Sequence, residues 1–357
     1  MTFDDVLVIK NGRNQKAVEN PTGRYPIYGS GGIMGYADDY ICEAETVVIG
    51  RKGSINNPIF VEEPFWNVDT AFGLVAKQDV LLPRYLYYFC CHFDFERLNK
   101  AVTIPSLTKS DLLKIEISPP TLETQEKIIS HLMKIEQILH ARKQQLHKLD
   151  ELVKARFVEL FGDPVSNPKG WNVEPLGKRC GIITGNTPSR SEPGNYGKYI
   201  EWIKSDNINT PFTFITKAQE CLSEAGFGKC RFVEAGSILM TCIAGSINCI
   251  GNVAVTDRRV AFNQQINAIV PEQDEVLYLY WLMQLSKPMI HRTINMALKG
   301  ILSKSQLSEM AFPFPPITLQ KQFAAFVEQT DKSKAIIQKA LDEAQLLFDS
   351  LMQKYFG

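Results

Sequence analysis

The sequence has no excess of either charge: 39 basic and 39 acidic residues give a formal net charge of zero at pH 7. This balance argues against a protein that holds nucleic acid through bulk positive charge alone, although it allows local basic patches. No apolar run approaches the roughly 18 residues of a membrane span, and no secretory signal precedes Phe3. We therefore expect a cytoplasmic chain without a membrane partner.

The chain also lacks the common signatures of catalytic and metal sites. Its eight cysteines form no Cys-x-x-Cys pair, which argues against structural zinc and favours reduced thiols. There is no Walker phosphate loop, and the five scattered histidines suggest no Ser-His-Asp set. The stretch 57–60 lacks the second proline of the Asn-Pro-Pro-Phe motif of adenine methyltransferases, and no glycine-rich S-adenosylmethionine loop precedes it. We expect no catalytic residue, no cofactor and no metal in this chain.

Two long stretches do have the apolar spacing of coiled-coil helices. From about Leu122 to Phe161 apolar residues recur at steps of 3, 4 and 7, with Arg142 and Arg156 at two core positions. Without Gly or Pro, these roughly 38 residues predict a helix about 57 Å long, at about 1.5 Å per residue. The same steps recur 195 residues later, between Phe323 and Tyr355. Because one narrow apolar stripe needs a covering helix, we expect the two helices to pack together.

The repeat extends beyond the helices. Leu107–Leu112 matches Leu302–Leu307 at the same offset of 195, and Gly53–Asn56 recurs as Gly245–Asn248. We predict an α+β fold in which two mixed α/β globules are separated by two long helices, packed as an antiparallel coiled coil with a pseudo-two-fold axis. The predicted segments are a first globule at 1–118, a central helix at 119–162, a second globule at 163–314 and a C-terminal helix at 315–357.

Two functions fit this arrangement. A pair of unlike globules related by a two-fold axis suits two half-sites on a duplex, because DNA backbones are also two-fold related. The alternative is a non-catalytic coiled-coil scaffold whose globules bind proteins, and the neutral net charge slightly favours it.

Several motifs resemble those of a known family. Pro119-Pro120, Gln125 five residues later, and a long helix that ends in Leu160–Pro164 resemble the conserved regions of the DNA specificity subunit of Type I restriction-modification systems. Trp-x-x-x-Pro-Leu-Gly at 171–177, Gly-x-Thr-Pro-Ser at 185–189, Trp-Ile-Lys at 202–204 and the Gly-Ser-Ile loops resemble its target recognition domains. The first globule departs from this pattern, since it lacks the Trp-x-x-x-Pro-Leu-Gly segment and has Gly-Arg-Asn-Gln at 12–15.

The resemblance implies a function and a set of partners. Such a subunit has no catalysis of its own: it reads a bipartite sequence in double-stranded DNA and recruits two methylation subunits and, for cleavage, restriction subunits. The outer faces of the long helices would dock the methylation subunits, and S-adenosylmethionine, ATP and Mg would be bound by the partner subunits.

Polar residues in turns are the candidates for DNA contacts, with ordinary turn chemistry as the alternative for each. Arg and Lys suit phosphates or guanine, and Asn and Gln suit adenine. The candidates in the first globule are Arg13, Asn14, Lys16, Arg51, Lys52, Ser54 and Asn56. The candidates in the second globule are Thr187, Ser189, Arg190, Lys204, Asn207, Ser246, Asn248 and Gln264.

The two seam arginines, Arg142 and Arg156, have two interpretations. Charged residues at coiled-coil core positions usually set the register or pair with acids of the facing helix, where Asp342 and Glu343 are possible partners. The other interpretation is contact with another subunit.

Overall fold

A computed structural model describes residues 1–100, 103–294 and 300–357. The chain forms two compact units, and each contains one globule and a portion of both long helices. The first unit comprises Met1–Gln144 and Gln338–Gly357, and the second comprises Gln145–Ile337. The limits of these units therefore fall within the helices rather than at their ends.

Two small sheets form the globule of the first unit. Its strands are β1 (Leu7–Asn11), β2 (Tyr25–Gly29), β3 (Gly32–Ala37), β4 (Thr46–Gly50), β5 (Ile59–Val61), β6 (Trp66–Asn67) and β7 (Ala71–Ala76). The helices are α1 (Phe3–Val6), α2 (Pro83–His92), α3 (Lys109–Leu112) and the long α4 (Leu122–Phe161). One sheet has the antiparallel order β1-β7-β4-β5, and the other has the order β3-β2-β6 with β2 parallel to β6.

The second unit repeats this plan. Its strands are β8 (Val173–Pro175), β9 (Cys180–Thr184), β10 (Tyr196–Ile203), β11 (Cys221–Leu222), β12 (Phe232–Val233), β13 (Ile238–Thr241), β14 (Ile243–Ala244), β15 (Val253–Val255), β16 (Val260–Phe262), β17 (Ile266–Pro271), β18 (Gly300–Ile301) and β19 (Ala311–Pro313). The helices are α5 (Ser205–Ile208), α6 (Glu224–Phe227), α7 (Val276–Leu285), α8 (Lys287–Arg292), α9 (Lys304–Glu309) and the long α10 (Ile317–Phe356). The sheet order β9-β17-β13-β15 matches β1-β7-β4-β5 of the first unit. The order β11-β10-β16-β12, with β10 parallel to β16, corresponds to β3-β2-β6 with one additional strand, β12.

The predicted α+β duplicate is confirmed. In the first globule α2 ends at His92, and Asp94 caps a separate 3-10 turn at Phe95–Leu98. The first strand starts at Leu7, since the preceding residues form α1, where the Asp5 carboxylate accepts a hydrogen bond from the Thr2 N–H at 2.7 Å. A carboxylate at this position stabilises a helix N-terminus.

The long helices run antiparallel within each unit. In the second unit the rings of Phe157 and Phe323 are 5.4 Å apart, and further along the Lys334 ammonium lies 2.6 Å from the Asp150 carboxylate. From the ring pair to the ion pair, the residue numbers fall along α4 and rise along α10, so the two helices run in opposite directions. In the first unit the buried residues of α4 share one apolar cluster with the C-terminal end of α10. The helix α4 ends at the predicted glycine, Gly162, whose φ is +79°.

The predicted seam is correct at the start of α4 and shifts at its end. Phe157 and Phe161 are buried, whereas Arg156 is only half-buried, because these rings pack against the core of the second globule. The prediction that Arg156 pairs with an acid of the facing helix is wrong: its guanidinium lies 2.7 Å from Glu159, one turn along its own helix. Lys334 and Asp150 form an ion pair between the two helices.

One buried glutamine joins each globule to the start of its long helix. Gln125 and Gln320 have no exposed surface and are 195 residues apart. Their side-chain oxygens accept the backbone N–H of Leu82 and of Glu275, the residues that cap α2 and α7. The glutamine of the Pro-Pro-x-x-x-x-Gln motif therefore fixes one helix against the next.

Candidate nucleic-acid interface

A glycine opens the first candidate loop of the first globule. The Gly12 N–H donates to the Ala71 carbonyl at 3.3 Å, and the Arg13 N–H donates to the Asn67 carbonyl at 2.9 Å. A Cβ on Gly12 would lie 1.8 Å from the carbonyl oxygen of Val68. Only glycine lets the two segments approach this closely.

The same arrangement recurs in the second globule. The Gly185 N–H donates to the Ile266 carbonyl at 3.0 Å, and the Asn186 N–H donates to the Phe262 carbonyl at 3.1 Å. A Cβ on Gly185 would lie 2.2 Å from the carbonyl oxygen of Asn263. The first globule lacks the Gly-x-Thr-Pro motif and nevertheless keeps the glycine contact on which the loop depends.

A tryptophan holds the carbonyl that follows each of these glycines. The indole N–H of Trp66 donates to the Arg13 carbonyl at 3.0 Å, and that of Trp202 donates to the Asn186 carbonyl at 3.3 Å. The tryptophans come from different strands of the parallel pair, β6 and β10, whereas the backbone hydrogen bonds of the glycines are equivalent. The two loops thus share their backbone contacts and differ in the side chains that they carry.

The second candidate loop of the first globule presents two cations. The backbone N–H groups of Arg51 and Lys52 both donate to the Thr70 carbonyl, at 2.8 and 3.2 Å. The Arg51 guanidinium contacts the Asp69 carbonyl, at 3.5 Å, and the ring of Phe72. Neither cation has a carboxylate partner within the described ranges 1–100, 103–294 and 300–357. Because residues 12–13 bind the same segment, 67–71, the structure brings the two predicted loops together.

The remaining candidates of the first globule also face solvent. Arg13 and Lys16 are exposed and make no ion pair with any residue that the structure describes, and the Asn14 side chain accepts the Lys16 N–H at 2.9 Å. Ser54 is exposed as well. Asn56 is also exposed, but both its amide oxygen and its amide nitrogen are hydrogen-bonded to the 94–95 segment.

Two predicted DNA contacts, Asn56 and Asn207, are hydrogen-bonded within the fold. The exposed Asn56 amide donates to Asp94 at 2.9 Å and accepts the Phe95 N–H at 2.7 Å, so it holds the 3-10 turn. Asn207 is only 6% exposed, accepts the Lys204 N–H at 3.1 Å and donates to two groups of the 216–217 segment. Both side chains therefore support the local backbone.

The repeated Gly-Ser-Ile-Asn sequence does not occupy one structural position. In the first globule Arg51 and Lys52 both donate their N–H groups to one carbonyl. In the second globule Cys242 and Ile243 do the same, to the carbonyl of Gln265. The second globule therefore carries Cys and Ile where the first carries two cations. Further along, Ser246 and Asn248 are exposed, and their side chains have no partner among the described residues.

Two predicted contacts of the second globule lie directly together. The Thr187 hydroxyl hydrogen-bonds the side-chain oxygen of Gln264, which joins the 185–190 loop to the turn after β16. The Ser189 hydroxyl lies 2.7 Å from that of Ser191. Gln264 keeps its amide N–H groups exposed to solvent, so this pair presents hydrogen-bond donors.

The predicted cations of the second globule are held by one acid. The Glu220 carboxylate lies 2.5 Å from both the Arg190 guanidinium and the Lys204 ammonium. The guanidinium also lies 4.5 Å above the Tyr196 ring, and the ammonium lies 5.3 Å from the Trp202 ring. The hydrogen bonds that Arg190 donates to Glu220 lower the pKa of the carboxyl group and raise the pKa of the guanidinium.

Sequence reasoning missed Glu220 and the tip of the β2–β3 hairpin. A single acid in a polar loop carries no motif, and its pairing with Arg190 is visible only in three dimensions. In the hairpin a β-bulge leaves Met34 unpaired, because Tyr28 pairs with Ile33 and Ile27 with Gly35. Ile33 and Met34 are 55% and 62% exposed as a result.

The described residues show neither a metal site nor a membrane-spanning helix. In that part of the chain no group of His, Cys, Asp or Glu side chains has an arrangement that could hold a metal ion. No helix there combines the length and the apolar content that a membrane crossing requires.

Comparison with known families supports this reading of the motifs. A family model for the type I restriction modification DNA specificity domain matches residues 1–148 and 168–346. Each match contains one globule and helical residues beside it.

Individual relatives match parts of the chain. The type I restriction enzyme HindI specificity subunit of Haemophilus influenzae is 35% identical over 117 residues, 31% of this chain and 24% of that protein. The type I restriction enzyme MjaIX specificity subunit of Methanocaldococcus jannaschii is 28% identical over 162 residues, 40% of this chain and 36% of that protein. A second protein of M. jannaschii, MjaX, is 23% identical over 300 residues, 75% of this chain and 67% of that protein. The chain thus spans between about a quarter and two thirds of the length of these relatives.

Solved structures share the fold over the whole chain. The crystal structure of a type-I restriction-modification system S subunit from M. genitalium has a TM-score of 0.67 at 18% identity, covering 100% of this chain and 95% of the other. A chain from work on complex assembly and conformational transition of the type I R-M system has a TM-score of 0.55 at 16% identity, with 100% and 96% coverage. At these identities the likeness establishes the fold.

Proposed function

Because this chain belongs to the family of type I restriction-modification DNA specificity domains, we propose that it is a non-catalytic DNA-reading subunit of a type I restriction-modification complex. Each globule reads one half of a bipartite double-stranded target. The observation that supports this proposal best is the pair of loop frameworks built on the glycines Gly12 and Gly185, which have equivalent backbone hydrogen bonds and different side chains.

The exposed side chains of each framework suit different features of DNA. The cations Arg13, Lys16, Arg51 and Lys52 suit phosphates or guanine edges, and the exposed Ile33 and Met34 suit thymine methyl groups. The remaining proposed contacts are Asn14 and Ser54 in the first globule, and Thr187, Ser189, Arg190, Lys204, Ser246, Asn248 and Gln264 in the second. Asn56 and Asn207 are left out of this set, because their amides are bonded within the fold.

The long helices set the spacer between the two half-sites and dock two methylation subunits. Both helices have large apolar side chains on their solvent faces, as a partner surface requires. These residues are Ile138, Leu346 and Leu347 in the first unit and Leu152, Val158 and Ile336 in the second. Restriction subunits join the same complex, and S-adenosylmethionine, ATP and Mg are bound by the partner subunits.

The spacer is tested by lengthening both helices together. One heptad is inserted after Gln144 and one after Ile337, at the limits of the compact units, so that contacts within each unit are kept. Seven residues add about 10 Å, or about three base pairs at 3.4 Å each. We expect the methylated adenines to mark the same two half-sites with a spacer about three base pairs longer, as read by sequencing the methylated genome.

Two controls accompany this experiment. A heptad inserted in only one helix shifts one seam against the other, and we expect it to abolish methylation. An unchanged spacer in the doubly lengthened variant would contradict the proposal. In a complex with methylation subunits, sequence-blind binding that does not depend on salt would favour the protein scaffold instead.

A further inference from the structure

We infer that Glu220 is a positioning residue that makes the second globule selective for bases rather than attracted to any DNA. It orients Arg190 and Lys204 and cancels one of their two charges while DNA is bound. This inference rests on the proposed function, because it assigns Arg190 and Lys204 to the half-site that the second globule reads.

A backbone hydrogen bond to β10 holds Glu220 in place. The Glu220 carbonyl accepts the Trp202 N–H at 3.1 Å, at the start of the β10–β11 pairing. From that position its two oxygens reach the two terminal nitrogens of Arg190, at 2.5 and 3.1 Å, and one oxygen also reaches Lys204 at 2.5 Å. The rings of Tyr196 and Trp202 lie under the guanidinium. Both cations are therefore restricted in direction before DNA arrives.

The pairing leaves Arg190 able to bind a base. A guanidinium has five N–H donors, and the end-on contact with Glu220 uses one donor on each terminal nitrogen. The edge formed by Nε and one terminal nitrogen stays available for a bidentate contact with guanine. The Arg190 side chain is 59% exposed, so this edge is accessible. Glu220 need not be displaced when the base is bound.

Glu220 differs from the other acids of its globule. Within the described residues, Glu192 pairs with one cation, Lys229, and Glu234 pairs with one cation, Arg259, so each of these pairs is neutral. Glu220 pairs with two cations, both candidate DNA contacts, and this group of three side chains keeps one net positive charge. In the first globule, Arg51 and Lys52 have no such carboxylate within the described residues. The second globule therefore has oriented cations where the first has unpaired ones.

Glu220→Gln tests this inference in the full chain, assembled with its methylation subunits. The substitution adds one net positive charge and frees both cations for phosphates. One more neutralised phosphate is worth roughly eightfold in affinity at about 0.1 M salt, and it steepens the salt dependence by about 0.9. We expect this gain on a non-target duplex. On the target duplex, where Arg190 loses its orientation, we expect little or no gain, so the target preference falls several-fold.

Two matched variants separate charge from orientation. Glu234→Gln makes the same charge change beside Arg259, and its effect should be equal on target and non-target duplexes. Glu220→Asp keeps the charge but is one methylene too short to hold both cations. It should leave non-target binding and its salt dependence as in the wild type and weaken target binding.

The outcomes are distinct. A Glu220→Gln complex whose target preference is unchanged, as in Glu234→Gln, or increased would overturn the inference, since an increase means that the bound DNA displaces the carboxylate. If the wild-type complex shows no target preference, the proposed function fails. If the wild type prefers its target and Glu220→Gln behaves as Glu234→Gln does, only this inference fails.

Discussion

Replacing the buried glutamine at the start of either long helix should destabilise the corresponding unit. Gln125 accepts the Leu82 N–H at 2.8 Å and donates to the carbonyls of Val80 and Pro120, each at 2.9 Å. Gln125→Met keeps a similar volume and removes all three hydrogen bonds. The orphaned partners are backbone groups, which no compensating substitution can remove, and the residue has no exposed surface through which water could replace the bonds.

The expected loss is a sizeable part of the stability of a domain. Leaving one buried donor or acceptor unpaired costs about 1–3 kcal/mol, so we expect Gln125→Met to lower the free energy of unfolding by about 2–4 kcal/mol. Gln320→Met should behave similarly, because Gln320 accepts the Glu275 N–H and donates to Asp274 at 2.7 Å and to the Pro315 carbonyl. With a urea dependence of about 2 kcal/mol per molar, the unfolding midpoint falls by about 1–2 M.

Urea unfolding of the full chain measures the effect in each unit. Trp66 is the only tryptophan of the first unit, and the other three belong to the second. In full-chain variants that keep the tryptophans of one unit only, the tryptophan fluorescence therefore follows the unfolding of that unit. Gln329→Met is the control, since Gln329 is an exposed helix residue whose side chain has no partner among the described residues. If Gln125→Met and Gln329→Met unfold at the same urea concentration, the glutamine has no structural role and the reasoning is refuted.

Two further predictions concern charge. Arg51→Ala and Lys52→Ala should each reduce the slope of log affinity against log salt by about 0.9, whereas Arg97→Ala, whose cation is paired with Asp94, should not; equal slopes in all three complexes would exclude phosphate contacts at 51–52. The hydrogen bond from Arg258 lowers the pKa of Glu201 below its ordinary value of 4.5, so this group stabilises the fold above about pH 4.5 and the contribution disappears as pH falls through the lowered pKa. The melting temperatures of wild type and Glu201→Gln should therefore differ at pH 7 and converge in acid, and a difference that is constant with pH would contradict the assignment.

The sequence was sufficient to predict the parts of the fold that depend on periodicity. The bounds of α4, the stop at Gly162 and the second helix follow from apolar spacing and from Gly and Pro. The seam prediction failed near Phe157, because a strict heptad count ignores the globule that also covers this part of the helix. Periodicity identifies which residues face a neighbour only when one neighbour is present.

The candidate site was predictable by region rather than by residue. Turn chemistry located the loops near Gly12 and Arg51, which bond to one backbone segment at 67–71 of the first unit, and the loop near Gly185 in the second unit. The roles of side chains were harder to predict, since the sequence does not show whether the amide of a turn asparagine is free or, like that of Asn56, is hydrogen-bonded to another segment. Glu220 could not be found from sequence, because its partner Arg190 is 30 residues away in a loop of no fixed length.

The two globules have equivalent backbone contacts and different charges at their loops, and this difference bears on how a bipartite target is recognised. At the equivalent backbone positions the first globule has Arg51 and Lys52, while the second has Cys242 and Ile243. Because the backbone hydrogen bonds are the same, the difference in reading must come from the side chains and not from the placement of the loops. A framework that tolerates either pair can change its half-site by substitution in the loops alone, since the glycine and tryptophan contacts that hold the loops remain in place. If the proposed function is correct, the fold sets the position of the loops that contact DNA, and the side chains of those loops set which bases are read.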